Sequence, residues 1–298
     1  MSAAVLKQAA SRIVSTWNWR MGSRLSFPQY PWVDRMVQSS VGRLLWNLRE
    51  IFLISAVYVV YMLVRKVILN DVIHVATDNA LKVVAFEKEL SFLWKPTWQK
   101  WAIDHALWLV VTMNWAYIFT FFPIIGITAI IFYIRDRPRY RYYRNVILTS
   151  YVVALLVFIL FPLAPPRMLG LEFGFVDAIA EFGPTGYGGR EMAFFYNAYA
   201  AMPSLHFGWT VLFGILFWNT RGPWWVTPWL KLLGVAYPTV TFFAITITGN
   251  HYIVDAMAGG GVAIISILVY HALLRWSRNH KAIGRFLQPP VNSPSAST

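Results

Sequence analysis

Cysteine is absent from the 298 residues, which excludes a disulfide framework and any thiolate metal site. Charge is scarce as well. Asp, Glu, Lys and Arg make up 13% of the chain, against roughly 25% in an ordinary soluble domain. Acidic residues are the scarcer sign, 13 against 26 basic ones, for a net charge of +13. No HExxH spacing and no nucleotide-binding glycine loop after a strand occurs, and no internal repeat is visible. The start of the chain has no short apolar run followed by a small-residue cleavage site, so it does not read as a cleaved signal peptide. Nucleic-acid binding is not expected, because the basic residues lie between apolar stretches with no recognition module.

What is present is apolar. Hydrophobic residues make up 57% of the chain, and the 15 Trp and 15 Tyr suit the bilayer interface. Six apolar segments, at about 46–66, 106–134, 146–164, 203–219, 225–249 and 253–275, each approach the ~20 residues that cross a hydrocarbon core. The first is the weakest, since Arg49 and Arg65 trim its apolar heart. The expected fold is therefore all-α, a polytopic bundle of six transmembrane helices. Three regions follow: a basic N-terminal segment at 1–48, cytoplasmic or interfacial; a membrane domain at 49–275; and a tail at 276–298, basic and then disordered where it reads PPVNSPSAST. The amphipathic stretch at about 67–105 is expected to pack as short helices at the outer surface.

Arginines orient the bundle. Arg135, Arg137, Arg139, Arg141 and Arg144 follow the second segment, and Arg275, Arg278, Lys281 and Arg285 follow the sixth. The positive-inside rule puts both clusters and the basic N-terminus in the cytoplasm, which an even number of spans satisfies. The loop at about 165–202 and the turn at Gly249–His251 then face outward. An integral protein of the plasma membrane with both termini inside is the expectation.

Ionisable groups recur at this outer end: Arg167 after the third segment, Ser204 and His206 opening the fourth, His251 and Asp255 opening the sixth. Burying such groups in a membrane is costly, so together they read as a site. His251 and Asp255 are four apart and share a helix face. The carboxylate can hold one imidazole nitrogen as N–H and leave the other lone pair free to attack. His206 can protonate a leaving oxygen and later take a proton from the incoming nucleophile. Arg167 offers a planar fork for phosphate oxygens, with Ser204 and helix N-terminal amides as further donors. Phosphoryl transfer needs no metal or cofactor here, and none is expected.

These residues resemble the type 2 phosphatidic acid phosphatase superfamily. Its Pro-Ser-x-His motif corresponds to Pro203-Ser204-Leu205-His206, and its His-x-x-x-Asp ending to His251 through Asp255. The resemblance covers about 105–275 and implies a six-helix core, a phosphohistidine at His251, acid/base work by His206 and orientation by Asp255. The family's Lys-x6-Arg-Pro motif has no copy. Arg137-Pro138 matches only its last two letters, on the cytoplasmic side, and Ala244 and Ile245 stand where Ser-Arg is usual. The altered pattern looks like the inositol phosphorylceramide synthase-like branch, through Pro165-Pro166-Arg167, Met202 to His206 and Gly249 to Asp255. That branch implies an inositolphosphotransferase reaction. A phosphorylated polyol head group would move from a phospholipid donor to a lipid or glycolipid acceptor, with Arg167 binding phosphate. Arg190, Asn197, Asn250 and Tyr252 are candidates for the head group. Two alternatives stay open: a phosphatase acting on a lipid phosphate or pyrophosphate, and a non-catalytic transporter or scaffold. Asp104-His105 could approach the same pocket, whereas His271 belongs to the inner end. Oligomeric state is not readable.

Overall fold

The computed structural model describes residues 40–68, 72–91, 95–183 and 199–279. Most of the basic N-terminal segment, the loop residues Arg190 and Asn197, and the serine-rich tail lie outside the described residues. Ten α-helices carry the described chain: α1 (Ser40–Ile68), α2 (Val72–Glu89), α3 (Lys95–His105), α4 (Leu107–Phe119), α5 (Phe121–Arg135), α6 (Arg137–Leu160), α7 (Ala178–Phe182), α8 (Leu205–Asn219), α9 (Thr227–Ile247) and α10 (Ile253–Asn279). Pro166–Met168 and Leu171–Phe173 are single 3₁₀ turns.

The protein is an all-α bundle of polytopic membrane character. By length and composition α6, α9 and α10 can cross a membrane, and α4 with α5 makes a fourth span if the bent pair is one. The outward faces agree: Leu160 is 80% exposed, Ile134 68% and Phe122 67%. Such a surface suits lipid and would associate in water.

The single expected span at 106–134 is two helices meeting at 43°. Pro123 supplies the reason, since in a continuous helix its ring would clash with the carbonyl four residues back, at Phe119, and it has no N–H to donate to that carbonyl. Thr120 closes α4 with its N–H on the Ala116 carbonyl. The third expected span also starts earlier, at Arg137. Asp136 caps α6 by accepting from the Arg139 N–H at 3.1 Å, and Pro138 sits in the first turn, where a missing N–H costs nothing. The Arg137-Pro138 pair thus begins a helix.

α8 is central and packs on α5, α6, α9 and α10. Small residues permit this. A Cβ on Gly259 of α10 would collide with the Ser204 carbonyl, and one on Gly214 of α8 would meet the Gly234 carbonyl of α9. At one end of the bundle, α2 buries the stripe Ala76, Asn79, Ala80, Val83, Val84 and Glu87, the i, i+3, i+4 pattern of an amphipathic helix. Buried amides tie this cap, α3 and α4 to the loop beneath and to the end of α9. Asn79 donates to the Pro162 carbonyl and Asn114 to that of Ala178. The Gln99 amide group donates to Val176 and Ile247 carbonyls and accepts from the Val176 N–H.

Candidate active site

The site forms where three chain segments meet under the cap. Leu163 and Ala200 form a short parallel bridge, with the Leu163 N–H on Tyr199 O and the Ala201 N–H on Leu163 O. This fixes Ala201 just before the Pro203-Ser204-Leu205-His206 run. Ser204 begins α8, its side chain accepting from the Phe207 N–H at 3.3 Å, and its own N–H bonds to the Asp255 carbonyl at 2.9 Å. The fourth and sixth apolar segments are therefore joined through backbone within the candidate site. Gly249, at φ +71°, turns the chain from α9 into the His251 segment, a conformation that favours glycine.

His251 is buried, and its Nδ1 lies 3.1 Å from Asp255 Oδ2 and 2.9 Å from the Ala201 carbonyl oxygen. A carbonyl can only accept, so Nδ1 carries the hydrogen and donates to both oxygens. Nε2 then holds the lone pair. Asp255 is fully buried. The His206 ring lies 6.1 Å from that of His251, centroid to centroid, at 49°. On its other sides His206 meets Tyr117 at 4.6 Å and Phe121 at 4.2 Å. These two residues flank the α4–α5 bend, so the break made by Pro123 positions the aromatic walls around His206. Those walls also line a small cavity of about 20 Å³, shared with Thr120, Tyr237 and Thr241.

Arg167 reaches the same turn through its backbone, its N–H bonding the Gly249 carbonyl at 2.9 Å. Its guanidinium donates to Asp177 at 3.3 Å, and Asp177 also caps α7 through the Ala180 N–H. The arrangement holds the cation in place, with a carboxylate as its resident partner. Glu87 of α2 is fully buried and accepts from the Val254 N–H at 2.8 Å, which caps the first turn of the helix carrying Asp255.

The remaining candidates are placed differently. The Asn250 side chain donates to Thr248 Oγ1 at 2.6 Å, inside the turn. Tyr252 is fully buried in the apolar cluster beneath the cap and meets Phe175 edge-on. Burial, and then the charges of Asp255 and Glu87, push its phenol well above the ordinary tyrosine range. Asp104 pairs with Lys100 at 3.0 Å, and the His105 ring stacks on Trp101, so both are engaged on α3. His271 meets the Tyr142 hydroxyl at 3.0 Å at the other end of the bundle. Among the described residues, no group of three or more His, Asp or Glu is arranged to hold a metal ion.

Ala201, Tyr117, Phe121, Glu87 and Gln99 were not among the residues singled out from sequence. A backbone carbonyl leaves no mark in a motif. Glu87 did leave one, since it ends the apolar stripe of α2 at helical spacing.

Residues 81–269, nearly two thirds of the chain, match a family model described as the PAP2 superfamily. No curated protein and no solved structure matches.

Proposed function

The chain belongs to the PAP2 superfamily, and from that premise we propose that it is a six-span membrane phosphohydrolase that removes phosphate from a lipid phosphate or pyrophosphate at the outer leaflet. One observation carries the reading. His251 donates from Nδ1 to two oxygens, which leaves Nε2 basic, and the second imidazole stands 6.1 Å away.

The lone pair of His251 Nε2 attacks phosphorus and forms an N–P bond. The P–O bond to the lipid breaks, and protonated His206 gives its proton to the departing oxygen. Water then attacks, His206 takes its proton back, and the N–P bond breaks to release phosphate. Asp255 offsets the positive charge that His251 gains in the phosphoenzyme. Arg167 binds the phosphoryl oxygens by exchanging part of its contact with Asp177 for them. Ser204 and the first amides of α8 add donors.

A second reading is favoured by the Pro165-Pro166-Arg167, Met202–His206 and Gly249–Asp255 elements together. In it the second step is completed by a hydroxyl of a lipid or glycolipid acceptor, which transfers a phosphoinositol-type head group. Purified protein in detergent, supplied with lipid phosphates, lipid pyrophosphates and phospholipid donor–acceptor pairs, separates the two. Steady release of inorganic phosphate is expected. A lipid-to-lipid transfer product with no free phosphate would replace the hydrolase reading with the transferase one.

A further inference from the structure

The residue before a helix is commonly Ser, Thr, Asp or Asn, whose side chain accepts from an N–H of the first turn. The residue before α10 is Tyr252, and its ring is buried in the apolar cluster under α2. First-turn N–H groups have no carbonyl within their own helix to bond, and here one of them is met from elsewhere in the fold. Glu87 Oε1 accepts from the Val254 N–H at 2.8 Å, across 167 residues of chain. Glu87 is 0% exposed. Burying a carboxylate is costly, and a leucine there would complete the apolar stripe of α2 without that cost. The bond to Val254 gives the burial a reason.

Two backbone bonds fix the same stretch. The Asp255 carbonyl accepts from the Ser204 N–H at 2.9 Å, and the His251 N–H bonds the Ile245 carbonyl at 3.1 Å. Val254 lies between them, next to Asp255 and three residues after His251. Nδ1 of His251 and Oδ2 of Asp255 are 3.1 Å apart, toward the long end of the range for N–H···O bonds, so a small shift of this turn weakens their contact.

We propose that Glu87 is a positioning residue: by accepting from Val254 it holds the first turn of α10 so that Asp255 stays on His251 Nδ1. The role rests on the assignment of His251 and Asp255 under the proposed function. Through it the amphipathic helix α2 takes part in the site from outside both sequence motifs.

Two readouts on the full chain in detergent test this. The first needs no substrate. The Nδ1–H proton of His251, assigned in NMR spectra of histidine-labelled protein by its loss in His251→Ala, reports the hydrogen bond to Asp255. The second is kcat and KM for phosphate release. Glu87→Ala is expected to move the resonance toward its position in Asp255→Asn and to lower kcat roughly tenfold, with KM within about twofold of the wild type. Glu87→Gln keeps an oxygen for Val254 and is expected to restore both. Val83, also buried on α2, controls for packing. Val83→Ala is expected to lower the melting temperature and to leave the resonance and kcat in place.

An unmoved resonance in Glu87→Ala would overturn the proposal. Equal loss in Val83→Ala would assign the effect to general loosening of the cap, and failure of Glu87→Gln would assign it to charge; either overturns it as well. Should Glu87→Ala not fold, Glu87→Asp decides, because its shorter side chain withdraws the carboxylate from Val254 while keeping the charge. A wild-type resonance there would reject the role. If the wild type releases no phosphate from any substrate while the resonances follow the expected pattern, the hydrolase reading fails and the role of Glu87 stands.

Discussion

Two acceptors converge on Nδ1 of His251, a carbonyl and a carboxylate, and their removal has different consequences. Asp255→Asn leaves the Ala201 carbonyl in place, so the tautomer survives while the charge that balances the phosphoenzyme is lost. We expect kcat to fall by roughly 10²-fold with the fold intact. His251→Ala removes the nucleophile, and turnover should drop by about 10⁴-fold or more. Steady-state kinetics on the two purified variants checks the order, and an equal loss would mean that Ala201 does not orient the ring. At Arg167 the planar fork serves Asp177 and, in the proposed mechanism, the phosphoryl oxygens. Arg167→Lys keeps the charge without the fork and should lower kcat/KM by roughly tenfold. An unaffected lysine variant would remove Arg167 from phosphate binding.

At the scale of elements, the position of α10 against α8 decides whether Asp255 and Ser204 can meet. Gly259 lies where any Cβ would strike the Ser204 carbonyl. Gly259→Val should therefore destabilise the protein by about 1–3 kcal/mol through overpacking, seen as a lower melting temperature in detergent. Gly261 has open space around its Cβ position, so Gly261→Ala should leave the melting temperature nearly unchanged. The two glycines look alike in sequence, and only the packing distinguishes them. The α4–α5 bend is a similar case. Pro123 was in plain view as a helix breaker, but the apolar content on both sides suggested one continuous span. That the bend would wrap Tyr117 and Phe121 around His206 depends on α8 lying beside it.

For the whole molecule, orientation is the open variable that one experiment settles. The natural chain has no cysteine, so single-cysteine variants report cleanly. In the outward-site topology, Glu172→Cys should react with a membrane-impermeant maleimide on intact cells. Arg221→Cys, between α8 and α9, should react only after permeabilisation. The reverse pattern would put the histidine pair in the cytoplasm and end the outer-leaflet reading. The expected surface helices at about 67–105 are present as α2 and α3, and they close over the site by buried amides. Hydropathy alone says that such a stretch is too polar to cross. It does not say that Asn79 and Gln99 each find a distant partner, because those partners are backbone groups 83 and 148 residues away.

Local chemistry determined the membrane character, the helical class and the His251–Asp255 pairing, because hydrophobicity, length and an i, i+4 spacing act over one or a few helical turns. Tertiary structure decided the rest. It brought Ala201 to Nδ1, set His206 between two aromatic rings, gave Arg167 its partner in Asp177, and put Glu87 at the start of α10. All but the Arg167–Asp177 pair, ten residues apart, join segments far apart in the chain, and the small residues and the proline break that allow the close approach take their meaning only from what lies across from them.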